Sequence, residues 1–125
     1  MNHFSINKSF EPFANSFKKL RKATPKGLQN QLTDTVAEKL KGLEKDPRPQ
    51  SSRSEPIPKK STLPLLVEFR KLKFSIQKGA SGQIRLVYLI DIEKQMVTPL
   101  LIYSHKQYSG RPDDSELMKV IRAAI

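Results

Sequence analysis

The sequence contains no cysteine. That excludes disulfides, thiolate zinc sites and cysteine nucleophiles, and it suits a reducing compartment. Histidine is nearly absent too. His3 and His105 are far apart in sequence, so a dedicated transition-metal site is not expected. No run approaches the ~18 consecutive apolar residues that a membrane span needs. The opening MNHFSINKSF lacks the basic and then apolar regions of a secretory signal. A cytoplasmic location is the resulting expectation. Acids are the last shortage: 12 Asp and Glu stand against 23 Lys and Arg, a formal net charge of +11. A field of that sign favours nucleic acid, anionic lipid or an acidic protein partner. No amphipathic membrane anchor is evident, so nucleic acid comes first, with a generally basic soluble protein as the plainer alternative.

The 125 residues fit one domain, 1–125. Phe4 and Ile6 alternate with polar neighbours and predict a short first strand. Phe10, Phe13, Phe17 and Leu20 recur at helical spacing, with Ser9 as a candidate N-cap and Pro12 tolerated in the first turn. The other side of that helix carries Lys18, Lys19, Arg21 and Lys22. Thr24 followed by Pro25 reads as a cap and first position for a second helix. Its apolar stripe is Leu28, Leu32, Val36, Leu40 and Leu43. The segment 46–64, DPRPQSSRSEPIPKKSTLP, holds five prolines and four serines and reads as an extended connecting loop. Beyond it, Leu72, Phe74 and Ile76 alternate with Phe69, Lys71, Lys73 and Ser75, as in a strand. IRLVYLIDI and MVTPLLIYS read as central strands. Pro99 cannot donate a ladder hydrogen bond and therefore belongs at an edge or a bulge. A last helix, capped by Asp114 or Ser115, presents Leu117, Val120, Ile121 and Ala124. The order β-α-α-loop-β-β-β-α predicts an α+β fold. Its parts are a small antiparallel sheet, an N-terminal helical hairpin on one face and a short C-terminal helix.

Gly79 and Gly82 do not form a phosphate-binding loop. They lead into a β-branched run instead of a helix, and their spacing fits neither nucleotide-binding pattern. A hairpin tip with Lys78 at its base is the reading. The cationic strand face is more telling. Lys71 and Lys73 point the same way, and Arg85 on the next strand shares their face. Three cations at cross-strand distance repel; a phosphodiester between them relieves the repulsion. Long side chains splayed into water would give the same pattern. His105 follows an apolar strand, and its ordinary pKa near 6.5 suits proton transfer; it could equally be plain surface. Lys106 and Tyr108 lie beside it. Tyr108 is a candidate acid, a base-stacking platform or a half-buried packing residue, while Tyr88 and Tyr103 read as core and His3 as surface. Lys71, Lys73, Arg85, His105 and Tyr108 could together supply metal-independent RNA cleavage. A base takes the proton from the 2′-OH, cations stabilise the phosphorane-like charge, and an acid protonates the leaving oxygen.

The segments FRKLKF, GASGQIRLVYLI and PLLIYSHKQ, in this order and spacing, resemble the RelE/HigB superfamily of bacterial type II toxin–antitoxin toxins. The likeness covers nearly the whole chain. It implies a ribosome-dependent mRNA endonuclease without cofactor, held in check by a small cognate antitoxin. Lys71 and Lys73 then match the lysines of the strand before the turn. Arg85 matches the arginine that grips the scissile phosphate, and His105 or Lys106 the basic residue after the last strand. Lys18, Lys19, Arg21, Lys22, Lys78 and Lys106 become nucleic-acid contacts. ParE-type relatives share the fold and inhibit DNA gyrase with no nuclease site, so that reading stays open, as does a non-catalytic RNA- or partner-binding protein.

Overall fold

A computed structural model describes residues 3–125. The elements run Ser5–Ile6 (β1), Glu11–Ala23 (α1), Gln29–Lys45 (α2), Ser52–Ser54 (β2), Val67–Ser75 (β3), Gln83–Asp91 (β4), Met96–Ser104 (β5) and Asp114–Ala124 (α3). One sheet has the order β1-β5-β4-β3-β2. Its ladders are antiparallel except β1 on β5, which is parallel. The purely antiparallel expectation is corrected there: the chain climbs through two helices before it returns, so the first strand lies alongside the last instead of turning back on it.

The sheet is covered on both faces. Phe13 and Leu20 of α1 and Leu32, Val36 and Leu43 of α2 share a core with Leu72, Ile84, Leu86, Tyr88, Ile90 and Ile102. The opposite face buries Phe69, Val87, Leu89, Leu101 and Tyr103 with Leu117, Val120 and Ile121 of α3. Each such side chain contributes about 1.5–3 kcal/mol on leaving water. Alternation in β3 therefore sends Leu72 to the first core and Phe69 to the second, with Lys71 and Lys73 on Phe69's side. β4 is buried on both faces from Leu86 to Ile90, which is why it lacks polar alternation.

Local signals were resolved in unexpected ways. Ser9 does not cap α1; it bonds the Asn7 side chain, and Phe10 takes the N-cap position with no side-chain cap. Thr24 does not cap the second helix. Its hydroxyl donates back to the Leu20 carbonyl at 2.8 Å, closing α1, and a short 3₁₀ turn, Lys26–Leu28, precedes α2. The cap of α3 is Asp113, one residue before Asp114 and two before Ser115, accepting from the Glu116 amide at 2.9 Å. Pro99 stands opposite Tyr88 at a register shift between Val87 and Tyr88, where the missing donor does not interrupt the ladder.

The segment 46–64 is not only a connection. β2 lies within it and pairs with β3 through Ser52↔Leu72, Arg53↔Lys71 and Ser54↔Arg70. Its start is anchored by Tyr88, whose buried hydroxyl donates to the Pro47 carbonyl at 2.7 Å and stands 2.6 Å from Ser52 Oγ. Arg70 Nε donates to the same Ser52 oxygen at 2.9 Å. A three-residue strand has no period to read, and its proline neighbours argued for a loop.

Candidate functional site: a cationic hollow on the sheet

Register decides which side chains meet. Lys73 is directly opposite Arg85, and Arg85 is directly opposite Tyr103. Directly paired residues share a face, so a row of ammonium, guanidinium and phenol crosses three strands. Lys71 lies on the same face, opposite Val87 on one side and Arg53 on the other. His105 follows Tyr103 by two residues, and its amide donates to the Gln83 carbonyl at 2.9 Å, extending the ladder by one step. His105 itself lies in the turn just past the end of β5, next to this row.

Two polar atoms of this face, Arg85 Nη1 and Tyr103 Oη, and His105 Nδ1 at its end are buried and have no hydrogen-bond partner. Leaving one such atom unsatisfied costs about 1–3 kcal/mol. Tyr103 is only 2% exposed, and burial, reinforced by the Glu55 carboxylate, pushes its phenol up to about 12, against the opposing pull of Arg85 and Arg111. It is a neutral donor at any physiological pH. Tyr103 was expected to be core; its ring is core, while its hydroxyl belongs to the hollow.

Sequence reasoning missed three further groups. Glu55 continues the β2–β3 ladder, its amide donating to the Phe69 carbonyl at 2.9 Å. Its side chain is 5% exposed, and its carboxylate lies 3.2 Å from Lys71 Nζ and 2.9 Å from Arg111 Nη1. Arg111 also donates to the Pro56 carbonyl at 2.6 Å and to Asp114 at 3.1 Å, tying the approach to α3 onto the end of β2. Arg53 faces the hollow, but its guanidinium is turned to the Gln50 and Ser52 carbonyls. No signal pointed to Glu55 or Arg111, because neither sits in a periodic segment.

The five residues first singled out thus divide. Lys71 is occupied by Glu55. Lys73 and Arg85 take part in no ion pair among the described residues. Tyr108 is held edge-on against Tyr103, ring centroids 5.3 Å apart at 76°, by a tight turn in which the Gln107 and Tyr108 amides both donate to the Ser104 carbonyl. Burial, with Glu116 and Asp113 nearby, raises its phenol as well. Of the candidate RNA contacts, Lys18, Lys19, Lys22, Lys78 and Lys106 are exposed. Arg21 is engaged within the fold, bridging α1 to α2 through Thr33 at 3.1 Å and Asn30 at 3.4 Å. Gly79 has φ +91, a conformation that favours glycine, and with Gly82 it forms the hairpin tip expected of them.

No family model matches the chain, and no curated protein matches it. Among solved structures, it is similar to a mutant of the E. coli toxin RelE in the free state. The identity is 19%, the alignment covers 98% of each chain, and the TM-score is 0.47. At that identity and score, nothing about the site is carried over from it. Among the described residues, no helix is long and apolar enough to cross a membrane.

Proposed function

We propose that this chain is the toxin of a type II toxin–antitoxin pair, an endoribonuclease that cleaves mRNA on the ribosome by acid/base attack of the 2′-OH, without metal or cofactor. The observation that carries this reading is the pair of buried, unpartnered Arg85 Nη1 and Tyr103 Oη on one sheet face, with buried, unpartnered His105 Nδ1 at the end of that face and the unpaired Lys73 beside it. Donors left without partners among like charges are satisfied together by one ligand, an anion with several acceptor oxygens. A ribose phosphodiester has that chemistry. The motif likeness in FRKLKF, GASGQIRLVYLI and PLLIYSHKQ agrees with it.

In this reading Arg85 and the Tyr103 hydroxyl hold the non-bridging oxygens and stabilise the charge that grows on them. Lys73, with Lys71 behind it, binds the backbone and lowers the pKa of the 2′-OH, whose proton passes to water. The 2′-oxygen bonds to phosphorus, and the bond to the 5′-oxygen breaks. His105 or Tyr108 protonates that leaving oxygen. The products are a 2′,3′-cyclic phosphate and a free 5′-hydroxyl. The exposed lysines of α1, with Lys78 and Lys106, supply salt-sensitive contacts to ribosomal RNA. The partner that silences the hollow is a small antitoxin with acidic groups to offer it.

Expression of wild type and Arg85→Ala in bacteria, reading growth and mRNA 5′ ends, tests this. The expected result is growth arrest with new 5′ ends inside coding sequences for wild type and neither for the variant. Arrest with intact mRNA and damaged DNA would identify a gyrase inhibitor instead. No arrest in either strain would leave only a binding protein.

A further inference from the structure

Beside the hollow, between α1, β5 and α3, lies a cavity of about 210 Å³ whose interior has no part in the reaction above, although Tyr103 and Tyr108 stand in its wall. Its polar lining is Asn15, Ser16 and Lys19 from α1, Gln107, and Glu116 from α3; its aromatic wall is Tyr103 with Tyr108. The cavity is smaller than the ~300–1,000 Å³ that suits a drug-sized ligand, which favours a single flat ring system. Tyr103 belongs to both sites. Its ring lines the cavity, while its hydroxyl feels Arg85, Arg111 and Glu55 on the other side.

We infer that this cavity receives the nucleobase attached to the ribose next to the phosphate held by Arg85. The inference rests on the proposed reading of the hollow. A nucleotide is the ligand in which a flat, half-apolar ring and a phosphate are separated by one sugar, and Tyr103 stands between a ring-sized space and an anion-seeking space. The lining offers both hydrogen-bonding senses a base edge needs. Lys19 donates, the Glu116 carboxylate accepts, and the Asn15 amide does both. The tyrosine pair gives the face or edge of an aromatic ring to pack on.

The test uses a series of 2′-deoxy tetranucleotides, which lack the attacking hydroxyl. Each lacks the base at a different position, and binding is followed by calorimetry at low salt. Removing one particular base is expected to weaken binding to wild type roughly ten- to a hundredfold, the size of a lost base–aromatic contact. Asn15→Trp, placed at an exposed position on α1, fills the cavity and binds every member at the level of that abasic one; a thermal melt checks its fold. Tyr108→Ala gives the same levelling from the other wall. Arg85→Ala weakens the whole series alike. If wild type binds every member equally while Arg85→Ala still weakens all, the cavity is not a base site and the hollow stands. Base dependence that survives in Asn15→Trp overturns the inference as well. If wild type binds no member, the reading of the hollow falls and takes the inference with it.

Discussion

Lys73 and Arg85 face each other directly across β3 and β4, with no carboxylate bound to either among the described residues. Like charges so placed are destabilising, by ~0.2–1 kcal/mol for a cross-strand pair. Arg85→Gln removes the repulsion and one charge from a partly buried site. It is expected to raise the midpoint of denaturant unfolding slightly while lowering RNA cleavage by ~10²–10³, the usual cost of losing one transition-state donor. Stability and activity moving in opposite directions is the signature of a binding site. A variant that loses both would mean that Arg85 serves the fold.

Glu55 works the other way. Its buried carboxylate is shared by Lys71 at 3.2 Å and Arg111 at 2.9 Å, and its removal leaves two cations facing each other. Breaking a buried pair by deleting one partner costs about 3–5 kcal/mol. Lys71 and Arg111 keep 19% and 22% of their side-chain surface exposed, so about 2–3 kcal/mol is expected here. Urea unfolding of Glu55→Gln measures it. The same variant makes the hollow more cationic, so its binding to single-stranded RNA tightens at low salt and falls more steeply as salt is raised.

How much of this was legible depended on whether a residue sat in a periodic segment. The helices around Phe13, Leu20, Leu32 and Val36, and the strands around Leu72 and Leu86, were readable because burial on one face imposes a period. So was the shared side of Lys71 and Lys73, since alternation in a strand is a fixed property of the chain. The placement of Arg85 opposite Lys73 required the turn length and so was only bracketed. Glu55 and Arg111 were invisible. They meet across 56 residues of sequence, from the residue after a three-residue strand and from a loop, and only the completed sheet brings them together. Tyr103 was half read, since an apolar run announces a buried ring but says nothing about what its hydroxyl faces.

The two buried tyrosines set an alkaline limit on stability. Burial raises Tyr88, and it raises Tyr103 from the usual 10.0 to about 12. The folded chain therefore keeps both phenols neutral at a pH where the unfolded chain ionises them. Their contribution is fully present below pH 10 and is lost above it, for Tyr103 as the pH rises through about 12. For Tyr103 the loss is at most roughly 3 kcal/mol. Stability measured by denaturant between pH 9 and pH 12 should fall over that window, and Tyr103→Phe should flatten part of the slope. An unchanged slope in the variant would mean that water already reaches the Tyr103 hydroxyl.

The hairpin that aligns Lys73 with Arg85 is closed by Gly82 at a point where no side chain fits. A Cβ there would lie 2.3 Å from the Gln77 carbonyl oxygen and 2.8 Å from its carbonyl carbon, so backbone has to move. The Gly82 carbonyl also accepts from the Ile76 amide at 2.9 Å, which draws the two strand ends together. Gly82→Ala is expected to cost ~2–4 kcal/mol, in the range of severe packing changes. Gly79→Ala should cost about 1–3 kcal/mol through its φ of +91 alone, since a Cβ there meets nothing within 4 Å. Gly110→Ala, equally unobstructed and with no such φ, should be close to neutral and serves as the control. Because Arg85 begins three residues after Gly82, the Gly82 variant should also lose cleavage at temperatures where it is still folded. A Gly82→Ala protein as stable and active as wild type would mean that the tip does not fold against Gln77, and that the spacing of the two cations is set by the sheet below it.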